Sequence, residues 1–356
     1  YSSHRFPKDL LKIKYLIPFT DYLARVLFST AKKFSRKCGS GYSGFIGIPK
    51  PSPRILRRSC VEVEGVNIIL RLFVGLPARG RRILGDRAKD ILLRSIPEII
   101  KTIISLRNES VDRIRGHILN YLDQEYIRRW LYERDYMVFI GDGSILPRES
   151  SISEKPLRNA IPFKSPQTLK VSIKLPSGKV VSGLCVPKGL LVITGGGYHG
   201  KTTLLEAIQE GIYDHVEGDG RELVVSREYT VLVRAEDGRI VSHVDLSSFI
   251  RELPMNKETT DFVSLDASGS TSMAASINEA IEAGAEVILI DEDTSATNLL
   301  YKDKVMNEII REEPIRPLCL QIKDLIMKTG VGFIIVASAS SSFIGIADNI
   351  LLMEKF

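Results

Sequence analysis

Apolar positions follow a helical period in parts of the first half of the chain and gather into short unbroken runs in the second. From Asp21 to Phe34, the positions Leu23, Val26, Leu27, Ala31 and Phe34 fall on one face and predict a helix. The Gly/Ser/Pro-rich stretch CGSGYSGFIGIPKPSP interrupts the pattern and reads as a flexible loop. CVEVEGVNIILRLFVGLP predicts two strands with a turn at Glu64-Gly65. Helical spacing returns from about Gly85 to Ile104 and from Val111 to Glu133, and MVFIGDGSILPRESS predicts a short strand and a loop. Ser150 to Pro166 is rich in Ser and Pro and reads as a domain boundary.

Beyond it, LKVSIKLPSGKVVSGLCV predicts an antiparallel hairpin turning at Pro-Ser-Gly-Lys. GLLVIT is a buried strand, and a helix begins over Thr202 to Glu210. YTVLVRAEDGRIVSHVDL predicts a second hairpin, turning at Glu236-Asp237-Gly238. A helix from about Thr271 to Ala283 leads into the strand VILI, and VGFIIVAS is a further apolar strand. Short all-apolar strands alternating with helices predict an α/β fold with a mainly parallel sheet, buried on both faces. The expected division is an α+β domain over 1–165 and an α/β domain over 166–356. The chain opens on Tyr and ends just after the strand-like NILLM, so more chain is expected at its C-terminus.

Composition narrows the class. With 44% hydrophobic and 26% charged residues and a mean hydropathy of +0.03, the chain is that of a folded, soluble protein. No apolar run approaches the roughly 18 to 20 residues that span a bilayer, and the first residues carry too many charges for a secretory signal. Cys38, Cys60, Cys185 and Cys319 are not spaced as metal ligands, which argues against a disulfide framework or zinc site and for the cytoplasm. Charge divides unevenly. Residues 1–190 hold 35 Lys+Arg against 16 Asp+Glu, whereas residues 191–356 hold 14 against 27. A basic first half favours a polyanion partner, RNA or DNA; mutual attraction of the two halves is the plainer alternative.

The chemistry is carried by GGGYHGKTTLL, in which Gly195, Gly200, Lys201 and Thr202 fit the phosphate-loop spacing G-x-x-x-x-G-K-[ST] directly after a strand. Backbone N–H groups of Gly195, Gly196, Gly197, Tyr198, His199 and Gly200 are expected around the phosphates of ATP, with Thr203 following in the helix. Lys201 would reach the β- and γ-phosphates, and the Thr202 hydroxyl would ligate Mg²⁺. His199 is open to two readings, a nucleotide contact or a side chain turned away to pack, and the second is favoured because loop middles contribute mainly backbone. VILIDED sets Asp291 and Glu292 at the carboxyl end of a strand, Asp291 for Mg²⁺ and Glu292 to polarise the attacking water. Ser268, Gly269 and Ser270 open a helix, where an anion can bind.

That helix start resembles the signature motif of ABC-class ATPases, usually written LSGGQ. DEDTSATN resembles their DEPTSALD, departing at Asp293, Thr297 and Asn298, and Ser338 stands where the family carries a switch histidine. No Gln is assignable to the Q-loop. Together with YDHVEGDGREL, VRAEDGR, GSGYSG, GLPARGRRI, GDGSILPRES and PFKSPQTLKV, these segments resemble the predicted ATPases of the ABC class over about Cys38 to Phe356. The resemblance implies a P-loop NTPase of ABC type, with an antiparallel β subdomain and a helical insert beside the parallel sheet. It also implies a basic N-terminal domain, without membrane spans, and a tie to RNA. It further implies Mg²⁺-dependent ATP hydrolysis in a head-to-tail homodimer, Ser268 of one copy completing the site around Lys201 of the other. A nucleotide-gated scaffold with little turnover is the alternative that Ser338 and Asn298 keep open, and a transporter subunit is a weaker one. Three further features carry two readings each, with the solvated loop favoured for the first and the flexible loop for the second. YDHVEGDGRE is a solvated polar loop or a metal cluster, with Asp219-Gly220-Arg221 a candidate for the nucleotide shell. GSGYSG is a flexible loop or a phosphate contact, and Arg79, Arg81 and Arg82 are a solvated turn or a nucleic-acid contact.

Overall fold

The computed structural model describes residues 6–65, 67–104, 108–252, 258–302, 308–309 and 313–354. The chain forms two compact units. Unit 1 comprises Tyr1–Glu125 with Pro176–Gly178 and Asp214–Glu222, and unit 2 comprises Tyr126–Leu175, Lys179–Tyr213 and Leu223–Phe356. The sequence boundary at 165 therefore falls inside unit 2, and the segment from 126 packs with the phosphate-loop half.

Unit 1 is built around α1 (Leu16–Phe34), which begins a turn earlier than its periodicity predicts because Pro18 is tolerated in a first helical turn. Its expected face is real: Leu23, Ala24, Leu27 and Ala31 are fully buried. Short strands follow: β1 (Ile46–Gly47), β2 (Val61–Glu64), β3 (Asn67–Leu70), β4 (Phe73–Val74), β5 (Ala78–Arg79) and β6 (Arg82–Ile83). Among the described residues they pair as β1–β4, β2–β3 and β5–β6. The helical stretch from Gly85 consists of α2 (Gly85–Asp90), a π turn at Ile91–Ser95 and α3 (Ile96–Ile104). α4 (Asn108–Glu133) carries the chain from unit 1 into unit 2. Ile99, Ile103 and Ile114 join α1 in the core.

Asp21 lies within that core with no exposure. It accepts from Arg25 Nε at 2.7 Å and Arg58 Nε at 2.6 Å, with His117 Nε2 3.3 Å away. The segment Asp214–Glu222 belongs here too: Gln124 brackets His215, accepting from its N–H at 2.6 Å and donating to its carbonyl at 2.9 Å. His215 Nδ1 is 2.8 Å from Asp219 Oδ2, both side chains being 2% exposed. The expectation of a solvated loop is thus corrected. Asp219 and Arg221 are buried structural residues of unit 1, and among the described residues no cluster of His, Cys, Asp or Glu is placed to hold a metal.

Among the described residues unit 2 contains three sheets, two large ones and a two-stranded one. β7 (Tyr136–Gly141), β8 (Lys170–Lys174), β9 (Val180–Pro187) and β11 (Val224–Ser226) form an antiparallel sheet in the order β11-β7-β9-β8; β8 and β9 are the expected hairpin. The larger sheet is wholly parallel, in the order β12-β15-β16-β10-β17. Its strands are β10 (Leu190–Gly195), β12 (Thr230–Val233), β15 (Val287–Asp291), β16 (Gly332–Val336) and β17 (Asn349–Met353). Alternation sorts these apolar runs onto two faces. Leu190, Val192, Ile288, Ile290, Phe333 and Ile335 pack with α6 (Gly269–Glu282). Leu191, Ile193, Val287, Leu289, Ile334 and Val336 pack with α5 (Lys201–Glu210) and β7. Over the central strands β15, β16 and β10 both faces are covered, which is why they show no polar alternation, whereas the edge strand β17 leaves Ile350 and Leu352 exposed.

One predicted pairing is wrong. β12 and β13 (Arg239–Val244) do not form a hairpin: β12 joins the parallel sheet beside β15, and β13 pairs with β14 (Phe262–Ala267). The Asp237-Gly238 turn is locally sound, but β12 gains more by covering the open edge of a buried sheet. Where a helical insert is implied, the described residues between α5 and α6 hold strands and turns. α7 (Thr297–Leu300) and α8 (Ile322–Thr329) complete the unit. No helix among the described residues is long and apolar enough to cross a membrane.

Candidate functional site

Parallel register sets the site. Ile193 of β10 and Asp291 of β15 are both aligned with Val336 of β16, so three chain segments leave the carboxyl edge of the sheet at one level. Ligands of open α/β sheets collect at that edge. The segments are the phosphate loop, the Asp291-Glu292 turn and the turn through Ser338.

The loop from Gly195 to Gly200 wraps toward α5, with Gly200 in the left-handed region as the helix N-cap (φ 92°). Gly195 has φ 140°, and a Cβ there would meet the Met353 carbonyl at 2.3 Å, so the position requires glycine. Gly196, Gly197 and Tyr198 are exposed, and Tyr198 holds φ 61° with its side chain 98% accessible. Lys201 Nζ donates to the carbonyls of Gly195 and Gly196 at 2.8 Å each, which keeps its ammonium group within the loop. The His199 ring lies against Gly196, and its Nδ1 donates to the Met353 carbonyl at 3.2 Å. Thr203 lies on the first turn of α5.

Thr202 Oγ1 donates to Asp291 Oδ2 at 3.1 Å. Asp291 Oδ1 also accepts from the Asp293 N–H at 3.2 Å, which fixes the carboxylate plane. Glu292 is 8% exposed, and neutral donors hold both its oxygens. Tyr301 OH donates to Oε1 at 2.7 Å, and the N–H groups of Ser338 and Ala339 donate to Oε2 at 2.5 and 2.9 Å. Burial pushes the Glu292 pKa up, but the Ala339 N–H, the Tyr301 hydroxyl and the Ser338 N–H outweigh it and hold the carboxyl below the usual glutamate value. The Tyr301 phenol is correspondingly raised to about 12, first by its bond to Glu292 and then by burial. Ser338 therefore touches Glu292 through its backbone, while its side chain is at the surface.

The start of α6 is wired differently. Ser268 Oγ and Thr271 Oγ1 share a hydrogen bond of 2.5 Å, and Ser270 Oγ donates to Asn298 Oδ1 at 2.7 Å. These contacts join the helix start to α7 and not to the phosphate loop.

Two parts of the site escaped sequence reading. Tyr301 carries no motif, and only the short helix after the Asp-Glu turn brings its hydroxyl back to Glu292. The other is a cavity of about 250 Å³ beside Gly200 and Thr203, lined mainly by Leu146, Pro147, Asn159, Ile161 and Phe163. Its wall is the Ser/Pro-rich stretch that sequence alone reads as a linker; an apolar residue at every few positions was the available signal.

Residues 110–356 match the family model described as the P-loop domain of the ABC ATPases, and residues 2–107 match the model described as "ATPase of the ABC class N-terminal". The chain is 32% identical over 361 residues to the uncharacterized protein MJ1628 of Methanocaldococcus jannaschii, across 98% of this chain and 76% of the relative. Among solved structures it is similar to cbiO1 of Clostridium perfringens, part of an ABC transporter complex, at 14% identity and a TM-score of 0.36 over 62% of this chain and 86% of that one.

Proposed function

The chain belongs to the ATPases of the ABC class, and from that premise we propose that it is a soluble, cytoplasmic, Mg²⁺-dependent ATP hydrolase that works as a head-to-tail dimer and holds nucleic acid, RNA in particular, on its basic first unit. The observation that carries the reading is the convergence of Lys201, Thr202, Asp291 and Glu292 at one level of the sheet edge.

In this reading the loop N–H groups from Gly195 to Gly200 and the N-terminus of α5 cradle the phosphates, and Lys201 exchanges its carbonyl partners for phosphate oxygens. The adenine enters the apolar cavity beside Thr203. The Thr202 hydroxyl and Asp291 carboxylate are hard oxygen donors already brought together, a set that suits Mg²⁺. When bound, that ion neutralises phosphate charge. Glu292 stays ionised at neutral pH and accepts a hydrogen bond from the water that attacks the γ-phosphorus, with ADP as the leaving group. Ser268, Gly269 and Ser270 face the γ-phosphate held by a second copy. Unit 1 holds 25 Lys+Arg against 15 Asp+Glu, which supports the polyanion role.

Glu292→Gln should bind ATP, lose turnover about 10²- to 10⁴-fold and accumulate as an ATP-held dimer in size-exclusion chromatography. A variant that stays monomeric and hydrolyses ATP at the normal rate would refute the mechanism. The scaffold reading keeps one specific support. Asn298 replaces the family's coupling Asp and is engaged by Ser270 of its own chain. Negligible wild-type turnover, with or without RNA, would favour it.

A further inference from the structure

We propose that the tip of unit 1 formed by residues 38–45 and 73–83 is a stacking platform for an unpaired RNA segment; this rests on the reading of unit 1 as the nucleic-acid-binding half.

The tip is held by hydrogen bonds on both sides, a more constrained arrangement than the flexible loop expected of GSGYSG. The Ser40 N–H donates to the Ala78 carbonyl at 2.9 Å, and the Gly44 N–H to the Gly75 carbonyl at 2.7 Å. The Gly75 N–H returns a bond to the Phe45 carbonyl at 2.8 Å. Ser43 Oγ accepts from the Ala78 N–H at 3.0 Å, and Ser40 Oγ accepts from the Gly80 N–H at 3.2 Å. Three glycines permit this approach. A Cβ at Gly39 would lie 2.2 Å from the Ala78 carbonyl oxygen, one at Gly75 1.9 Å from that of Tyr42, and one at Gly44 2.0 Å from that of Arg36.

So constrained a frame presents apolar rings to solvent. Tyr42 is 84% exposed and Phe73 65%, and Tyr42 meets Phe45 edge-on with ring centres 6.3 Å apart. Around them, residues 35–45 and 71–83 contain six Lys/Arg and no Asp/Glu, and of the six Arg71 pairs with Glu62 of β2 at 2.8 Å. Arg79, Arg81 and Arg82 on and beside the β5–β6 hairpin are exposed, and among the described residues none forms an ion pair. Exposed aromatics interleaved with unneutralised guanidinium groups match a strand whose bases are free to stack and whose phosphates run alongside. A duplex offers the phosphates but hides the base faces. An acidic protein partner would leave the exposed rings unexplained.

The test is a salt-titrated binding assay on the full chain, using a labelled 12-nucleotide RNA, the same RNA as a duplex, the matching single-stranded DNA, and vesicles of anionic phospholipid. Tyr42→Ala and Phe73→Ala should each weaken single-stranded RNA binding about fivefold or more and change duplex binding less than about twofold. Tyr42→Trp should retain affinity, and thermal melts check that each variant is folded. Replacing Arg79, Arg81 and Arg82 by Ala should lower the salt slope by about 2. If wild type binds RNA and the folded variants bind it equally well, the platform is wrong and the nucleic-acid reading stands. Tighter binding of single-stranded DNA overturns the RNA assignment. Binding to vesicles with no nucleic acid bound at low salt overturns both.

Discussion

Asp21 of unit 1 and Glu292 of unit 2 are both buried carboxylates, and they meet the cost of desolvation in opposite ways. Asp21 of unit 1 is met by cations. Burial pushes its pKa up, and His117, Arg25 and Arg58 outweigh that push and hold it below the ordinary aspartate value. Glu292 of unit 2 is met by neutral donors, the N–H groups of Ser338 and Ala339 and the Tyr301 hydroxyl. Cations cancel the charge of Asp21 and make it a brace. Neutral donors steady Glu292 without cancelling its charge, which leaves that charge to act on a substrate. Both carboxylates are ionised near neutrality, so the partners and not the protonation state distinguish structure from chemistry.

The contrast can be broken by comparing stability with turnover. Asp21→Asn leaves the half-buried guanidinium groups of Arg25 and Arg58 without their counter-ion and should destabilise unit 1 by about 2–3 kcal/mol in denaturant titration. Glu292→Gln should change stability by under about 1.5 kcal/mol, since an amide oxygen can still accept from the same N–H groups, while turnover collapses as described. Equal losses of stability in both would erase the distinction.

Acid should act on both units. A depressed folded-state pKa contributes stability that is present above the unfolded value and lost as pH falls through the folded one. Melts recorded from neutral pH downward should therefore weaken below the ordinary carboxylate range, near 3.8 for Asp21 and 4.5 for Glu292. Asp21→Asn should flatten the lower-pH part of that dependence and leave the part that begins near 4.5 in place.

A smaller effect is expected for Tyr301→Phe, which removes one neutral donor. Losing about 1 kcal/mol of hydrogen bonding should lower kcat roughly fivefold, leave KM for ATP nearly unchanged, and move the acid limb of the pH–kcat profile upward. An unmoved acid limb would mean that the tyrosine only packs. The smallest effect should come from Tyr198→Gly. Relief of the positive φ offsets the added chain entropy of glycine, so stability should shift by under about 1 kcal/mol and ATP affinity should hold, because this position supplies backbone. A large loss of affinity would show that the exposed ring contacts the nucleotide or a second copy.

Legibility also differs between the units. In unit 2 the phosphate loop, the Asp-Glu turn and the buried strands were readable because each is defined within a few residues. Tyr301 and the cavity wall over Leu146 to Phe163 were not, because their roles arise from where α7 and a Pro-rich segment come to rest. In unit 1 the α1 face and the β2–β3 hairpin were readable. The buried His215–Asp219 pair looked like solvated polarity, since residue type alone does not reveal that Gln124 closes over it.

By itself, the sequence determined the phosphate loop with its Lys201 and Thr202, the apolar strands that must be covered on both faces, and the unequal charge of the two halves. Periodicity, turn chemistry and spacing are local properties that survive without a partner. Only the tertiary structure decided that β12 leaves its Asp-Gly turn for the edge beside β15, and that hydrogen bonds on both sides hold GSGYSG. It alone brought Tyr301 and the Ser338 backbone to Glu292. Partner choice is a competition among all segments for burial and hydrogen bonds, and no single stretch of sequence contains its outcome.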